Sequence, residues 1–133
     1  MDGNRHLRLV VRDEDTIVAT NRRGLELTID PNGEHGFTPV ELLMAALGAC
    51  GAIDMAELMR KQRDPVTPFE IDVDGQKEDA RMTWLRVTYR LSVEHDSAKA
   101  ERAREKTEGE LCTVSRTLTG GCEVTHVVAP DVP

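Results

Sequence analysis

Aromatic residues are scarce: two Phe, one Trp and one Tyr make up 3% of the 133 residues. A core of stacked rings is therefore excluded, and Leu, Val, Ile, Ala and Met must fill it. Excess positive charge is also missing. The formal net charge of -7 repels phosphate backbones and anionic lipid surfaces, so neither nucleic acid nor membrane is an expected partner. No apolar run is seen to approach the roughly 18 residues that span a bilayer, and Met1-Asp2-Gly3-Asn4-Arg5 has none behind it. The expected compartment is the cytoplasm. Cysteine is limited to Cys50, Cys112 and Cys122, an odd number without dense spacing, which excludes a secreted disulfide framework. Repeats, low-complexity segments and linkers are absent, so residues 1–133 are read as a single domain. A chain with few rings, an apolar central helix and several strands can hide surface against a second copy, and a homodimer is expected.

What is present begins with alternation. Leu7, Leu9 and Val11 share one face of a strand, Asp13-Glu14-Asp15 marks a turn, and Ile17-Val18-Ala19 returns, predicting a hairpin. A further extended piece spans Leu25 to Ile29. Thr38 then offers a helix cap, Pro39 the first helical position and Glu41 the return half of a capping box. This predicts a helix from Thr38 to about Gln62, with the stretch Val40 to Ile53 buried on most of its circumference. Asp64-Pro65 stops it. Ile71 and Val73 alternate with acids before a turn at Gly75, and Thr83 to Glu94 is the partner strand. Asp96 or Ser97 caps a charged helix, Ala98 to Glu108, expected at the surface, and Gly109 interrupts it. Leu111, Val114 and Leu118 fall at helical spacing, which places Cys112 at the start of a short helix ended by Gly120-Gly121. Cys122 to Val128 is read as a last strand.

Cys50 lies in Ala45-Ala46-Leu47-Gly48-Ala49-Cys50-Gly51-Ala52. Glycine within a helix costs about 1 kcal/mol against alanine, so Gly48 and Gly51 predict close approach of another backbone or of a substrate. Buried free cysteine is common in cores, and a structural Cys50 stands beside a reactive one. A reactive thiol must ionise, although the ordinary pKa is about 8.5. The dipole of its own helix is too distant, since Cys50 lies about three turns past Thr38. An arginine is the expected source of help, with Arg12, Arg22 and Arg23 as candidates beside their plain reading as solvated surface charge. Glu41 is explained by the cap. Asp54, one turn after Cys50, would repel a thiolate in a shared pocket and is given no role. Cys112 can resolve a Cys50 sulfenic acid if the fold brings the two together. Cys122 is read as packing. With His126 it raises a metal site, but no C-x-x-C accompanies it, and no metal or cofactor is expected.

The segment Phe37-Thr38-Pro39-Val40-Glu41-Leu42-Leu43-Met44-Ala45-Ala46-Leu47-Gly48-Ala49-Cys50 resembles the signature of the OsmC/Ohr family, as does Leu111-Cys112-Thr113-Val114-Ser115-Arg116-Thr117-Leu118. The order of elements covers almost the whole chain. The resemblance implies an α+β fold with curved antiparallel sheets around a long buried central helix, in an intertwined homodimer with sites at the subunit interface. It also implies a cofactor-free peroxidase of organic hydroperoxides. Cys50 is then the nucleophile, Cys112 the resolver, and a small dithiol or dihydrolipoyl protein the reductant. Val40 stands where the family's peroxidases carry a glutamate, and Glu41 comes one residue later, a turn of about 100° on a helix. The wording is closer to a less characterised OsmC-like branch. The family arginine has no unambiguous counterpart among Arg12, Arg22 and Arg23, and Arg23 is the third expected site residue. A non-peroxidatic binding or redox-sensing protein with the same cysteine pair is the alternative, and a structural dimer with inert thiols is a third reading.

Overall fold

Alternating apolar residues near the N-terminus form strands as expected. A computed structural model describes residues 3–91 and 94–129, and its chain divides into two units, Met1–Ala46 and Leu47–Pro133. In the first unit, β1 (Leu7–Val11), β2 (Ile17–Asn21) and β3 (Glu26–Ile29) form an antiparallel sheet in the order β1-β2-β3. Leu9 pairs with Ala19, and Ile17 pairs with both Val11 and Ile29. Asn21 builds the β2–β3 turn by accepting the backbone N–H groups of Arg23 and Leu25 on its side-chain oxygen, each at 3.0 Å. Gly24 completes that turn at φ 85°, a conformation that costs glycine little. After β3, the buried Asp30 carboxylate accepts N–H groups from Asn32, Glu34 and His35 at 2.8, 3.3 and 3.0 Å. These bonds hold its pKa below the ordinary carboxylate range, with the Asn32 N–H contributing most.

The predicted capping box forms in both directions. Thr38 N–H donates to Glu41 Oε1 at 2.9 Å, and Glu41 N–H donates to Thr38 Oγ1 at 3.3 Å. Helix α1 (Pro39–Lys61) follows. Arg63, at φ 62°, closes its C-terminus: the Arg63 N–H reaches Arg60 O, and the Asp64 N–H reaches Met59 O. This crossed pair of bonds satisfies carbonyls that a helix end leaves open. Two expectations for α1 are corrected. The helix is buried along one stripe, at Leu47, Gly48, Gly51, Met55 and Met59, rather than around most of its circumference. Ala45, Ala46, Ala49 and Ile53 are exposed. Pro39–Lys61 is also long and apolar enough, by length and composition, to cross a membrane. Its buried stripe instead supplies Met55 and Met59 to the core of the second unit.

In that unit, β4 (Glu70–Glu78) and β5 (Arg81–Arg90) form an antiparallel hairpin. The expected turn at Gly75 is displaced to Asp79, which takes φ 56°. Gly75 is a strand residue paired with Leu85. A Cβ there would come within 2.7 Å of Leu85 Cδ2 and 2.9 Å of the Trp84 carbonyl oxygen, so tertiary crowding rather than turn geometry explains the glycine. The expected strand extended to Glu94; β5 ends at Arg90, and Val93 lies outside the described residues. Asp96 caps α2 (Ser97–Lys106), accepting the Ala98 and Lys99 N–H groups. Contrary to a purely surface role, α2 buries Ala103 with Met55, Met59 and Val66, and Ala100 packs against that cluster. A π-helical turn, Thr107–Leu111, carries the chain through Gly109 to α3 (Thr113–Gly120), which ends at Gly121 as expected. Residues 121–129 have no regular secondary structure, which corrects the expected final strand. Among the described residues no strand pairs with this segment, and Val127 and Val128 are exposed.

Candidate functional site

Gly48 and Gly51 let α1 sit tightly on the second unit's hairpin. A Cβ at Gly48 would lie 2.8 Å from Val73 Cγ2, and one at Gly51 would overlap the Tyr89 hydroxyl. The close approach at these glycines is made by side chains of β4 and β5 rather than by the expected backbone. Cys50 lies between them in sequence, half-buried, and Asp54 follows one turn later on the same face. Cys112 arrives from the other side of the chain. Its N–H donates to Thr107 O at 2.8 Å to close the π-helical turn, and it then serves as N-cap of α3. Only 2% of Cys112 is exposed, and its Sγ accepts the Ser115 N–H at 3.4 Å.

These elements bring Cys50 Sγ, Cys112 Sγ and an Asp54 carboxylate oxygen within 4.8 Å of one another. No disulfide joins the sulfurs. Burial pushes the Cys112 thiol up; the Ser115 N–H opposes that shift, and the Cys50 thiol and Asp54 charge reinforce it. Asp54 is shifted up by burial first and by the Glu57 charge second. Its Oδ2 is buried without a hydrogen-bond partner among the described residues. Tyr89 is pushed up to about 12, mainly by burial and then by the charges of Cys112, Asp54, Glu108 and Cys50. It stays a protonated donor at any physiological pH.

Beside Cys112 opens a cavity of about 250 Å³. Leu47, Leu85 and Val87 give it apolar wall, and Tyr89, Arg86 and Arg104 give it polar wall. The Arg104 guanidinium is held by Glu101 and Glu108, whereas Arg86 lies over the Trp84 ring, 5.5 Å from its centre. The cavity suits a small molecule with an apolar body and a polar end.

The sequence candidates sort unevenly. Cys50 and Cys112 are brought together. Arg12, Arg22 and Arg23 belong to the first unit, at its exposed turns. The cations lining the Cys112 cavity are Arg86 and Arg104, which sequence reading passed over, as it did Tyr89. Asp54, set aside on grounds of repulsion, stands beside both sulfurs; its position four residues after Cys50 was the available signal. Cys122 is exposed rather than packed, and so is His126.

A profile of the family described as OsmC-like protein matches residues 31–127. Protein YhfA of Escherichia coli (strain K12) is 24% identical over 116 residues, spanning 84% of this chain and 87% of that protein. Among solved structures, an OsmC like protein from Mycoplasma pneumoniae superposes with a TM-score of 0.79 at 15% identity, covering 91% of each chain. A hypothetical protein from Aquifex aeolicus VF5 gives 0.73 at 21% identity over 89% of each chain. The organic hydroperoxide resistance protein OhrB of Bacillus subtilis gives 0.55 at 20% identity, over 87% of this chain and 92% of that one. At such identities the structural likeness establishes the fold, an α+β arrangement of antiparallel sheets with a long central helix.

Proposed function

Because the chain belongs to the OsmC-like protein family, we propose that it is a thiol-dependent peroxidase of organic hydroperoxides. The observation that carries this reading is the approach of Cys50 Sγ and Cys112 Sγ to within 4.8 Å beside a part-apolar cavity. The Cys50 thiolate attacks the outer peroxide oxygen; an S–O bond forms, the O–O bond breaks, and the alkoxide leaves as the alcohol after taking a proton. Cys112, giving up its thiol proton, then attacks the sulfenic sulfur; the S–S bond forms, the S–O bond breaks, and the hydroxide leaves as water with that proton. A dithiol or dihydrolipoyl reductant restores both thiols by exchange. Cys50 is assigned the nucleophile because it is the less buried residue of the pair. The buried Cys112, bonded to the Ser115 N–H at a helix start, is the resolver. Arg23 is the cation we propose to stabilise the Cys50 thiolate. The name of OhrB adds support by analogy of fold alone.

A homodimer and a cytoplasmic location belong to the same proposal. The first, as a single functional unit over residues 1–133, is supported by the exposed apolar faces of β1 and α1. The alternative, a redox-sensing or binding protein with the same thiol pair, is favoured by one observation: Val40 occupies the position after Pro39, and Glu41 is engaged by the helix cap.

Consumption of cumene hydroperoxide with a dithiol reductant separates the two. Turnover in the parent, its loss in Cys50→Ser and an altered reductant dependence in Cys112→Ser are expected. Stoichiometric oxidation without turnover would replace the peroxidase reading with the sensing one. Arg23→Ala is expected to shift the pH dependence of Cys50 alkylation upward, and an unchanged profile removes Arg23 from the site.

A further inference from the structure

The geometry points to a zinc site formed by Cys50, Asp54 and Cys112, with a fourth position open to water or another small ligand. This inference is independent of peroxide chemistry and shares with it only the two sulfurs.

The donor set selects the ion. Two thiols and one carboxylate suit borderline-soft Zn²⁺, which takes sulfur and oxygen together, whereas Ca²⁺ and Mg²⁺ demand oxygen ligands. Spacing fits as well. Cys50 and Asp54 are four residues apart on α1, so one helix face offers two ligands. Cys112 is presented from a separate element and oriented by the Ser115 N–H at 3.4 Å, an outer contact of the kind that fixes a ligand in place. Tetrahedral zinc with bonds of about 2.3 Å to sulfur sets its two sulfurs about 3.8 Å apart. The ligand atoms here already lie within 4.8 Å of one another, close to that spacing.

A second observation points to a ligand. Asp54 Oδ2 is buried and has no hydrogen-bond partner among the described residues, and leaving a buried carboxylate oxygen unpaired is costly. A cation seated between Asp54 and the sulfurs gives it one. Binding displaces the two thiol protons to solvent and leaves both sulfurs as thiolate ligands. Sharing a lone pair with the metal lowers the nucleophilicity of each sulfur. Zinc occupancy and a Cys50–Cys112 disulfide are mutually exclusive, because the disulfide removes both thiolate ligands.

The test uses the full chain, reduced and metal-free, titrated with Zn²⁺ against a chromophoric zinc indicator, and separately with Co²⁺. One tightly held zinc per chain is expected, together with a thiolate-to-cobalt charge-transfer band and the intense visible absorption of tetrahedral Co²⁺. Loss of a direct ligand should exceed the 10–100-fold effect of outer contacts, so Cys50→Ser and Cys112→Ser each weaken zinc by more than about 100-fold. Asp54→Asn should weaken it at least about tenfold, and Cys122→Ser should leave it unchanged. Far-ultraviolet circular dichroism checks the folding of each variant, and the cobalt spectrum of the parent needs no variant. Failure of the parent to compete with the indicator, an octahedral cobalt spectrum without the sulfur band, or loss of binding in Cys122→Ser overturns the site. Peroxide turnover by the metal-free parent is recorded on the same preparation. Turnover without zinc binding defeats this inference alone, and zinc binding without turnover defeats the peroxidase alone.

Discussion

The two antiparallel sheets start from similar alternating sequence and meet different fates. In β4–β5, Val73 and Tyr89 lie against the glycine stripe of α1, and Tyr89 also packs on the cluster of Met55, Met59, Val66 and Ala103. In β1–β3, Leu9 is 50% exposed and Leu27 49% exposed, and all five residues of β1 are exposed. Alternation therefore specifies a strand but not whether anything covers it. A sheet whose apolar side chains stay exposed calls for a partner surface, which is the physical ground for the proposed second copy.

The largest expected effect lies on the covered side of this contrast. Met59 is fully buried, and Met59→Ala should cost about 2–5 kcal/mol of stability in urea unfolding. Leu9→Ala should cost little in the isolated chain; a large, concentration-dependent loss would instead mark β1 as part of a subunit interface. Next comes the contact that seats the sulfur-bearing helix. Gly51→Ala places a methyl on the Tyr89 hydroxyl and should destabilise by about 1–3 kcal/mol. Tyr89→Phe in the same chain should recover most of that loss; no recovery would place the strain elsewhere.

In the first unit, the sharper test is electrostatic. The folded pKa of Asp30 lies below its ordinary value of 3.8, so its stabilisation is present above the unfolded pKa and is lost as pH falls through the folded one. The stability gap between the parent and Asp30→Asn should be flat from neutral pH to about pH 5 and close as acid protonates the parent. A gap that persists in strong acid would assign Asp30 a steric role. The smallest effect is expected at Arg63, which holds φ 62° at the end of α1. Arg63→Gly should stabilise by about 0.5 kcal/mol in thermal unfolding, because glycine enters that region without a Cβ clash.

What sequence reveals here follows the range of each interaction. The Thr38–Glu41 box, the Asp96 cap and the Gly121 stop close within four residues, and all three were legible. Gly75 was not, because the atoms that exclude a side chain there belong to Leu85, Met82 and Trp84. The segment Cys122 to Val128 has strand-forming residues, but among the described residues it has no strand to pair with. At the site, both thiols could be named from the sequence, whereas their proximity depends on packing. Asp54 is given no role in the sequence because its charge would repel a thiolate in a shared pocket. Burial raises its pKa, and the packing of α1 sets it beside the sulfurs.

The central claim is that Cys50 and Cys112 act as one unit, and peptide mapping after treatment with one equivalent of cumene hydroperoxide tests it most directly. The account predicts a Cys50–Cys112 linked peptide with Cys122 still free. Sulfinic acid at Cys50 beside an untouched Cys112, or linkage through Cys122, would contradict it.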